Sequence, residues 1–269
     1  MDLTIIILNY RTKGLVKQCI KTIRLYDPEV SYEIIVVDND SGDGIGEMLQ
    51  ERYPDVRLIR SPRNVGYAAG NNLGIREARG RHVLIMNPDI TVTRGAIEKM
   101  VAYLDAHPDV GIIGPKLVRP DRSIDYSCYR FPGYAIPIYR RTPFGRLQRG
   151  KRAVAEYVME DYDRERTREV DWLLGAVLMV RKAALAEVGM LDERYFLYFE
   201  DTDWCRRFWR AGYRVVYCTG AVMVHYHERL SARGPWLLSP LRRSTRTHIM
   251  SCLKYFWKWR RLESEDSRS

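Results

Sequence analysis

Apolar runs separated by helical stretches dominate the first hundred residues and leave few folds open. LTIIIL (3–8), EIIVVD (33–38), VRLI (56–59) and HVLIMN (82–87) read as strands. Val16, Cys19, Ile20 and Ile23 recur at helical spacing between the first two, and further helices are expected near 45–53, 66–78 and 94–106. Strands that alternate with helices form a parallel sheet covered on both faces. From 115 to 170 the pattern breaks into Pro-, Gly-, Tyr- and Arg-rich sequence, expected to form long loops around a binding region. Regular structure resumes with WLLGAVLMV (172–180), a helix over 201–211, short strands YRVVY (213–217) and AVMVH (221–225), and one basic helix from about 237.

Composition narrows the class. A chain of 269 residues, 46% hydrophobic and 29% charged, suits one large domain or one domain with an appended element. Its five cysteines are scattered and form no CxxC pair, which disfavours a disulfide scaffold or zinc ribbon and points to a reducing compartment. MDLTIIIL has no basic stretch before its apolar run, so no signal peptide is expected. Every apolar run is far shorter than the roughly 20 residues that span a bilayer. The net charge of +10 suggests a polyanionic partner: nucleic acid, anionic lipid or a phosphate-bearing substrate.

In a doubly wound sheet, ligands bind beyond the carboxyl ends of the strands. Those ends are polar here: LNY (8–10) with Asn9 and Tyr10, VDNDSGDG (37–44) with Asp38 and Asp40, and MNPD (86–89) with Asn87 and Asp89. Asp38 is placed either to accept from a base N–H or ribose hydroxyl, or to close an Asx-turn. The dinucleotide glycine fingerprint and the Walker A sequence are both absent. RNVGYAAGNNLGI (63–75) sets Asn64, Gly66 and Gly70 near a helix start, where backbone N–H groups favour an anion. Asn71 and Asn72 are poor helix formers, so contacts or a local bend are expected there. Pro88 stiffens the turn that carries Asp89, an oxygen ligand for Mg²⁺ or Mn²⁺ against a diphosphate, or simply part of a turn.

LNY, VVDNDSGDG, RNVGYAAGNNLGI, MNPD, WLLGAVLMVRKAAL, LDERYFLYFEDTDWCRR and VMVHYHERLS follow one another in this order. Over residues 3–231 they resemble the family-2 glycosyltransferases of GT-A fold, in particular the rhamnosyltransferase-like branch, with FEDTDWCRR the most specific block. The resemblance implies an α/β fold with a Rossmann-like, mostly parallel sheet flanked by helices and a C-terminal helical extension. It implies a transferase domain over 1–235, with a nucleotide-sugar half to about 114 and an acceptor half over 115–235, followed by a basic amphipathic tail over 236–269. Asp38 would bind the nucleoside, with Asn9, Tyr10, Asp40, Asn64, Gly66, Asn71 and Asn87 also on the donor side. Asp89 would be the metal-binding acid of a DxD-like motif whose first acid is replaced by Asn87. Its implied partner ligand is His225, which His227 rivals by strand parity. Gly175 and Ala176 allow close backbone approach, to the sugar or acceptor or else to the core.

Three acids crowd LYFEDTDW (197–204). On a helix over 201–211, Asp201 shares a face with Trp204, Cys205 and Phe208 and points inward. Asp203 precedes Arg206, Arg207 and Arg210 and is expected on a solvated ion-pair face, where replacement by Asn should cost little. Glu200 falls at the helix start, favoured there by the orphan N–H groups. Inverting glycosyl transfer needs a base for the acceptor hydroxyl and positive charge on the leaving diphosphate. The resemblance assigns the base to Asp201, with Glu200 contacting or orienting the acceptor.

The expected function is therefore a cytoplasmic, metal-dependent, inverting glycosyltransferase. dTDP-rhamnose is the favoured donor, with UDP-sugars and GDP-mannose open. A nucleotidyltransferase would normally carry a glycine-rich loop after the first strand, which LNYRTKG lacks. A basic module for nucleic acid or membrane would explain the charge but not an inward Asp201. The tail combines Arg242, Arg243, Arg246, Lys254, Lys258, Arg260 and Arg261 with Ile249, Leu253, Phe256 and Trp257 at helical spacing, and with Trp236 and Trp259. It is expected to lie on the anionic inner face of a cell membrane, beside a second basic patch at 140–152. A lipid-linked or glycan acceptor, and no nucleic acid, accounts for both patches; the alternative is a tail packed on the domain.

Overall fold

The structure, a computed structural model, describes residues 1–226 and 243–266. One sheet runs through it, and its strands follow the chain as β1 (Leu3–Asn9), β2 (Tyr32–Asp38), β3 (Arg57–Arg60), β4 (His82–Met86), β5 (Ile90–Val92) and β6 (Val110–Val118). After β6 come β7 (Ile124–Asp125), β8 (Cys128–Tyr129), β9 (Arg168–Glu169), β10 (Trp172–Leu173), β11 (Val177–Arg181) and β12 (Arg214–His225). The path across the sheet is β3-β2-β1-β4-β11-β6-β12-β5, with β7 on β6, β9 on β12, and β8 paired separately with β10.

The first three crossovers carry α1 (Lys13–Tyr26), α2 (Ile45–Arg52) and α3 (Gly66–Glu77), and α4 (Ala96–Ala106) leads into β6. β1, β2, β3 and β4 pair in parallel, as their continuous Ile/Val runs require. Ile6, Ile35 and Ile85 fill one face, and Ile5, Ile7 and Val36 the other. Beyond β4 the sheet is mixed. β11 runs antiparallel to β4 with Val177 opposite Met86, so the start of β11 and the end of β4 meet at one edge. β12 is parallel to β6, and His225 lies opposite Ile90 of the antiparallel β5. The ends of β1, β2, β4 and β12 and the start of β11 therefore share one edge.

Two strand expectations change. β6 occupies 110–118, at the start of the stretch read as loops, and its apolar run is interrupted by Gly111, Gly114 and Pro115. The two short strands at 213–225 are one strand, β12, irregular where its register shifts between Cys218 and Val222. The rest of the 119–170 region does hold short elements, among them α5 (Ile136–Arg141) and α6 (Gln148–Tyr157). The short α7 (Leu185–Val188) follows β11.

α8 (Glu200–Arg210) buries Trp204, Cys205 and Phe208 completely. Burying such side chains contributes about 2–3 kcal/mol for each large one. Asp203 is not on a solvated face, as the periodicity suggested, but is 0% exposed. Its Oδ2 accepts from Arg207 Nε (2.9 Å) and Lys258 Nζ (2.8 Å), and its Oδ1 from the Trp259 indole (3.0 Å). The last two donors come from α9 (Arg243–Asp266), which packs on the domain through Tyr255 and Trp259. Arg206 of α8 bonds the Tyr255 hydroxyl at 3.1 Å and pairs with Glu263. The tail is thus docked, and Trp259 is an interior residue. Trp257 remains 63% exposed. Trp236, His227 and Arg242 lie outside the described residues.

Removing the Asp203 carboxylate leaves Lys258 buried beside Asp192 alone. Asp203→Ala should lower stability in urea unfolding by about 3–5 kcal/mol, the cost of breaking a buried ion pair. Trp257→Ala, on the exposed face of the same helix, should change it by less than about 0.5 kcal/mol.

Candidate functional site

Polar side chains that close a strand end must be paired when they are buried. At the end of β1, Asn9 Nδ2 donates to Asp38 Oδ1 (3.2 Å), Ser41 Oγ (3.0 Å) and Asp43 Oδ2 (3.2 Å). Its Oδ1 accepts from the Thr12 N–H at 3.1 Å, just before α1. Asn9 and Asp38 are therefore brought together, with Ser41 and Asp43 as partners that the sequence pattern did not single out. Tyr10 and Asp40, one and two residues past the same strand ends, are exposed.

Asn39 is the organiser that sequence reading missed. Its amide donates to Asn64 Oδ1 (3.1 Å) and the Gly66 carbonyl (3.1 Å), and its carbonyl accepts from the Val65 N–H (2.9 Å). The available signal was its place beside Asp38 after a buried strand. Gly66 has φ +87°, and a Cβ there would lie 2.3 Å from the Phe196 carbonyl oxygen, which takes the Tyr67 N–H at 2.7 Å. Only glycine permits that approach. Asn71, expected on the donor side, bonds the Tyr67 carbonyl of its own helix at 3.0 Å and also acts on the Tyr67 side chain. Asn72 reaches across to the Leu191 carbonyl (2.8 Å) and accepts the Leu191 N–H (3.1 Å).

These contacts seat the segment that precedes α8. Tyr198 and Phe199 both have positive φ, +73° and +69°. Such conformations cost on the order of 1–3 kcal/mol each in a non-glycine residue. The segment is stitched down by Tyr67, by Ser251 Oγ on the Leu197 carbonyl (2.9 Å) and by Lys254 Nζ on the Arg194 carbonyl (2.7 Å). The strained turn starts α8 abruptly and presents two adjacent carboxyls in its first turn.

Asp201 and Glu200 are both buried, in different environments. Asp201 Oδ2 accepts the Gly175 N–H (2.8 Å), and its Oδ1 accepts the Thr202 N–H (2.7 Å). Gly175 allows this contact, because a Cβ there would meet Asp201 Cβ and Oδ2 at 3.2 Å. Burial raises the Asp201 pKa, against the lowering effect of those two N–H groups. Glu200 Oε2 is buried with no partner among the described residues. Burial, and then the Asp201 charge, push its pKa well above the usual carboxylate range, so of the two carboxyls Glu200 is the one that favours its protonated form more strongly. Tyr67, whose hydroxyl bonds the Gly175 carbonyl, lies near Glu200, Asp201 and Asp89 together: burial first, then these neighbouring carboxyls, raise its pKa. Ala176, by contrast, packs in the core, and its carbonyl takes the Asn87 N–H at 2.8 Å. Its side chain is thus part of the core.

At the other side of the site, His225 Nε2 stands 3.5 Å from Asp89 Oδ2, and its Nδ1 lies 2.8 Å from Asp125 Oδ2. Asp125 gave no sequence signal. Burial alone would lower the His225 pKa, but Asp125 and Asp89 outweigh it and push it up to about 9. Two carboxylates around one ring favour positive charge there, as imidazolium or as a bound cation. Asp89 Oδ1 is buried and has no partner among the described residues. A carboxylate oxygen left open beside an imidazole fits a divalent ion, and the Asp125 contact on the far nitrogen is the kind that orients a ligating histidine. Among the described residues no three His, Cys, Asp or Glu side chains cluster to hold a metal by themselves, so further ligands would come from a diphosphate or water.

The mixed sheet with flanking helices is the GT-A glycosyltransferase fold. A mannosyltransferase from Pyrobaculum calidifontis, solved with GDP-Man and Mn²⁺, superposes with a TM-score of 0.58 at 20% identity over 85% of this chain; the chain spans 57% of that structure's length. The sequence pattern of Glycosyl transferase family 2 matches residues 4–159, and that of Glycosyl transferase family group 2 matches 82–264. The N-acetylglucosaminyl-diphospho-decaprenol L-rhamnosyltransferase of Mycobacterium tuberculosis is 31% identical over 221 residues, 75% of this chain and 69% of its own. The dTDP-rhamnosyl transferase RfbF of Shigella flexneri is 27% identical over 200 residues, 71% of this chain and 59% of its own. The chain belongs to glycosyl transferase family 2, on its rhamnosyltransferase-like side.

Proposed function

We propose that the protein is an inverting, metal-assisted glycosyltransferase of cell-envelope glycan synthesis, with rhamnose on dTDP as the favoured donor and a lipid-linked or glycan hydroxyl as acceptor. The observation that carries this reading is Asp201: a dry carboxylate fixed by two backbone N–H groups, within electrostatic reach of the same phenol as Asp89. The names of the relatives supply the rhamnose, the dTDP and the diphosphate-linked acceptor. Residues 1–235 form the transferase domain, with the donor half ending near 114.

In this reading Asp38 and Asn9 hold the nucleoside end, with Asn64 and Gly66 close by and Tyr10 and Asp40 at the exposed side. Asp201 takes the proton of the acceptor hydroxyl as its oxygen attacks the anomeric carbon and the bond to the diphosphate breaks. Burial makes Asp201 a stronger base than a solvated aspartate, which suits proton abstraction near neutral pH. Glu200, whose carboxyl burial pushes toward the protonated form, can then donate to the acceptor and orient it. Asp89 and His225 would hold Mn²⁺ or Mg²⁺, which when bound neutralises charge on the leaving diphosphate. Gly175 sets the sugar's closest backbone approach. The protein sits at the inner face of a membrane as a peripheral enzyme; among the described residues no helix is long and apolar enough to cross one.

Asp201→Asn should reduce transfer by roughly 10²–10⁴-fold, with donor affinity nearly unchanged by calorimetry. Near-normal turnover would move the base elsewhere. Asp89→Ala should weaken donor binding only when Mn²⁺ is present, and identical titrations with and without the ion would refute the ligand assignment. His225→Ala should reproduce the Asp89→Ala loss if His225 is the second ligand, whereas His227→Ala should do so if His227 is.

A further inference from the structure

α9 does more than dock. Between it and α5 runs a groove of about 830 Å³, within the range of small-molecule sites. Tyr134, Ile138, Ile249, Leu253, Phe256 and Trp257 line it, and among the described residues no acidic side chain does. Leu253 is 59% and Ile138 54% exposed, an unusual amount of aliphatic surface on facing helices.

The inner end of the groove is polar. The Thr245 hydroxyl there is buried and has no partner among the described residues. Arg141 is half-buried; burial lowers its pKa, and the groups that act on it are Tyr198, Arg140 and Cys252, with no carboxylate among them. His248 packs on the Tyr198 and Phe199 rings at 5.0 and 5.3 Å, and burial with Arg141 and Arg140 keeps it neutral. The groove therefore ends against the two strained residues that precede Glu200. Arg260 adds positive charge along the lining.

An apolar trough with a guanidinium that has no carboxylate partner among the described residues, at the end nearest the candidate base, matches one kind of molecule, a hydrocarbon chain esterified to a diphosphate. We infer that the α5–α9 groove binds the isoprenoid chain of a lipid-diphosphate acceptor, with Arg141 and Thr245 on its phosphates. This rests on the glycosyltransferase reading and adds a binding site to it. The anionic head then lies beside Tyr198, which aims the attached sugar toward Asp201. Charge and apolar surface in this arrangement favour a single chain over a flat bilayer, because half-buried Arg141 and buried Thr245 belong to the trough's own lining rather than only to its rim.

The probe is geranylgeranyl diphosphate, titrated into the full-length protein below its aggregation threshold and followed by calorimetry and by the fluorescence of Trp257, with Trp257→Phe as the spectroscopic control. Saturable binding is expected, at least about tenfold tighter than for inorganic diphosphate, which lacks the chain, or for geranylgeraniol, which lacks the charge. Leu253→Glu should weaken it by about tenfold or more, since a carboxylate would be set against hydrocarbon. Arg141→Gln should erase the preference for the diphosphate over the alcohol, while Leu253→Met should bind normally. Undiminished binding by Leu253→Glu, or no binding by the native chain, would overturn the inference. So would a Leu253→Glu variant that binds the probe normally but no longer floats with anionic liposomes, because the groove would then be a bilayer contact. Nucleotide-sugar binding and transfer to a short soluble acceptor should survive Leu253→Glu. Their absence from the native chain would count against the glycosyltransferase reading and not against the groove.

Discussion

A fully buried carboxylate, Asp203, decides how the second half of the molecule is assembled. A charge removed from water must be met by compensating charge and hydrogen bonds. Arg207 on its own helix supplies part of this, and Lys258 and Trp259 of α9 supply the rest. α8 cannot satisfy its own first turn, so α9 is committed to the domain wherever α8 is folded. Once docked, α9 places Ser251 and Lys254 on the carbonyls of Leu197 and Arg194. Those bonds hold the Tyr198–Phe199 turn, and the turn fixes where Glu200 and Asp201 stand. A contact more than 50 residues along the chain from the carboxyls thus sets their position.

The carboxyls divide by their partners rather than by their chemistry. Asp201 accepts the N–H groups of Gly175 and Thr202, which favour its charged form, whereas Glu200 Oε2 has no partner among the described residues and its pKa is pushed well up by burial. Had both been ionised in a dry site, each would have raised the other's pKa until one was protonated, as close like charges do. The backbone N–H of Gly175 makes the choice between them. That residue type is set by space, since any side chain would press on Asp201. The same logic runs at the Asp89 end, where His225 is oriented by Asp125 and leaves one Asp89 oxygen open.

The legible parts of this fold are those whose signal is local. β1, β2 and β4 are buried on both faces and read as unbroken apolar runs, and the inward face of α8 follows from Trp204, Cys205 and Phe208. β6 was lost because Gly111, Gly114 and Pro115 interrupt its run. Asp203 was misplaced because periodicity weighs only neighbours on the same helix, and its decisive partners are Lys258 and Trp259. Asp125 was invisible because His225, the partner that brings it into the site, lies 100 residues away. Asn39 acts largely through the main chain of Val65 and Gly66, which leaves no trace in side-chain pattern, whereas the contacts expected at Asn72 are found on Leu191. Sequence therefore placed Asp38, Asp89, Asp201 and His225 at strand and helix ends but could not say which buried atoms would be left open.

The charge of +10 is unevenly spread, and its distribution follows from the packing. The strand-end edge gathers Asp38, Asp43, Asp89 and Asp201, which would repel a diphosphate unless a cation stood between them. The helix-packed side gathers Arg140, Arg141, Arg246 and Arg260, which attract phosphates directly. Lys258, Arg206 and Arg261 do not add to that attraction, because Asp203, Glu263 and Glu265 already pair with them. The net field is then a short acidic edge beside a basic, partly apolar face, separated by the Tyr198–Phe199 turn. In the proposed reading two phosphate-bearing molecules would approach this surface by different means, one through a metal ion and one through arginine. Recognition modes that differ in this way would keep each molecule from the other's place and leave both facing Asp201, the carboxylate between.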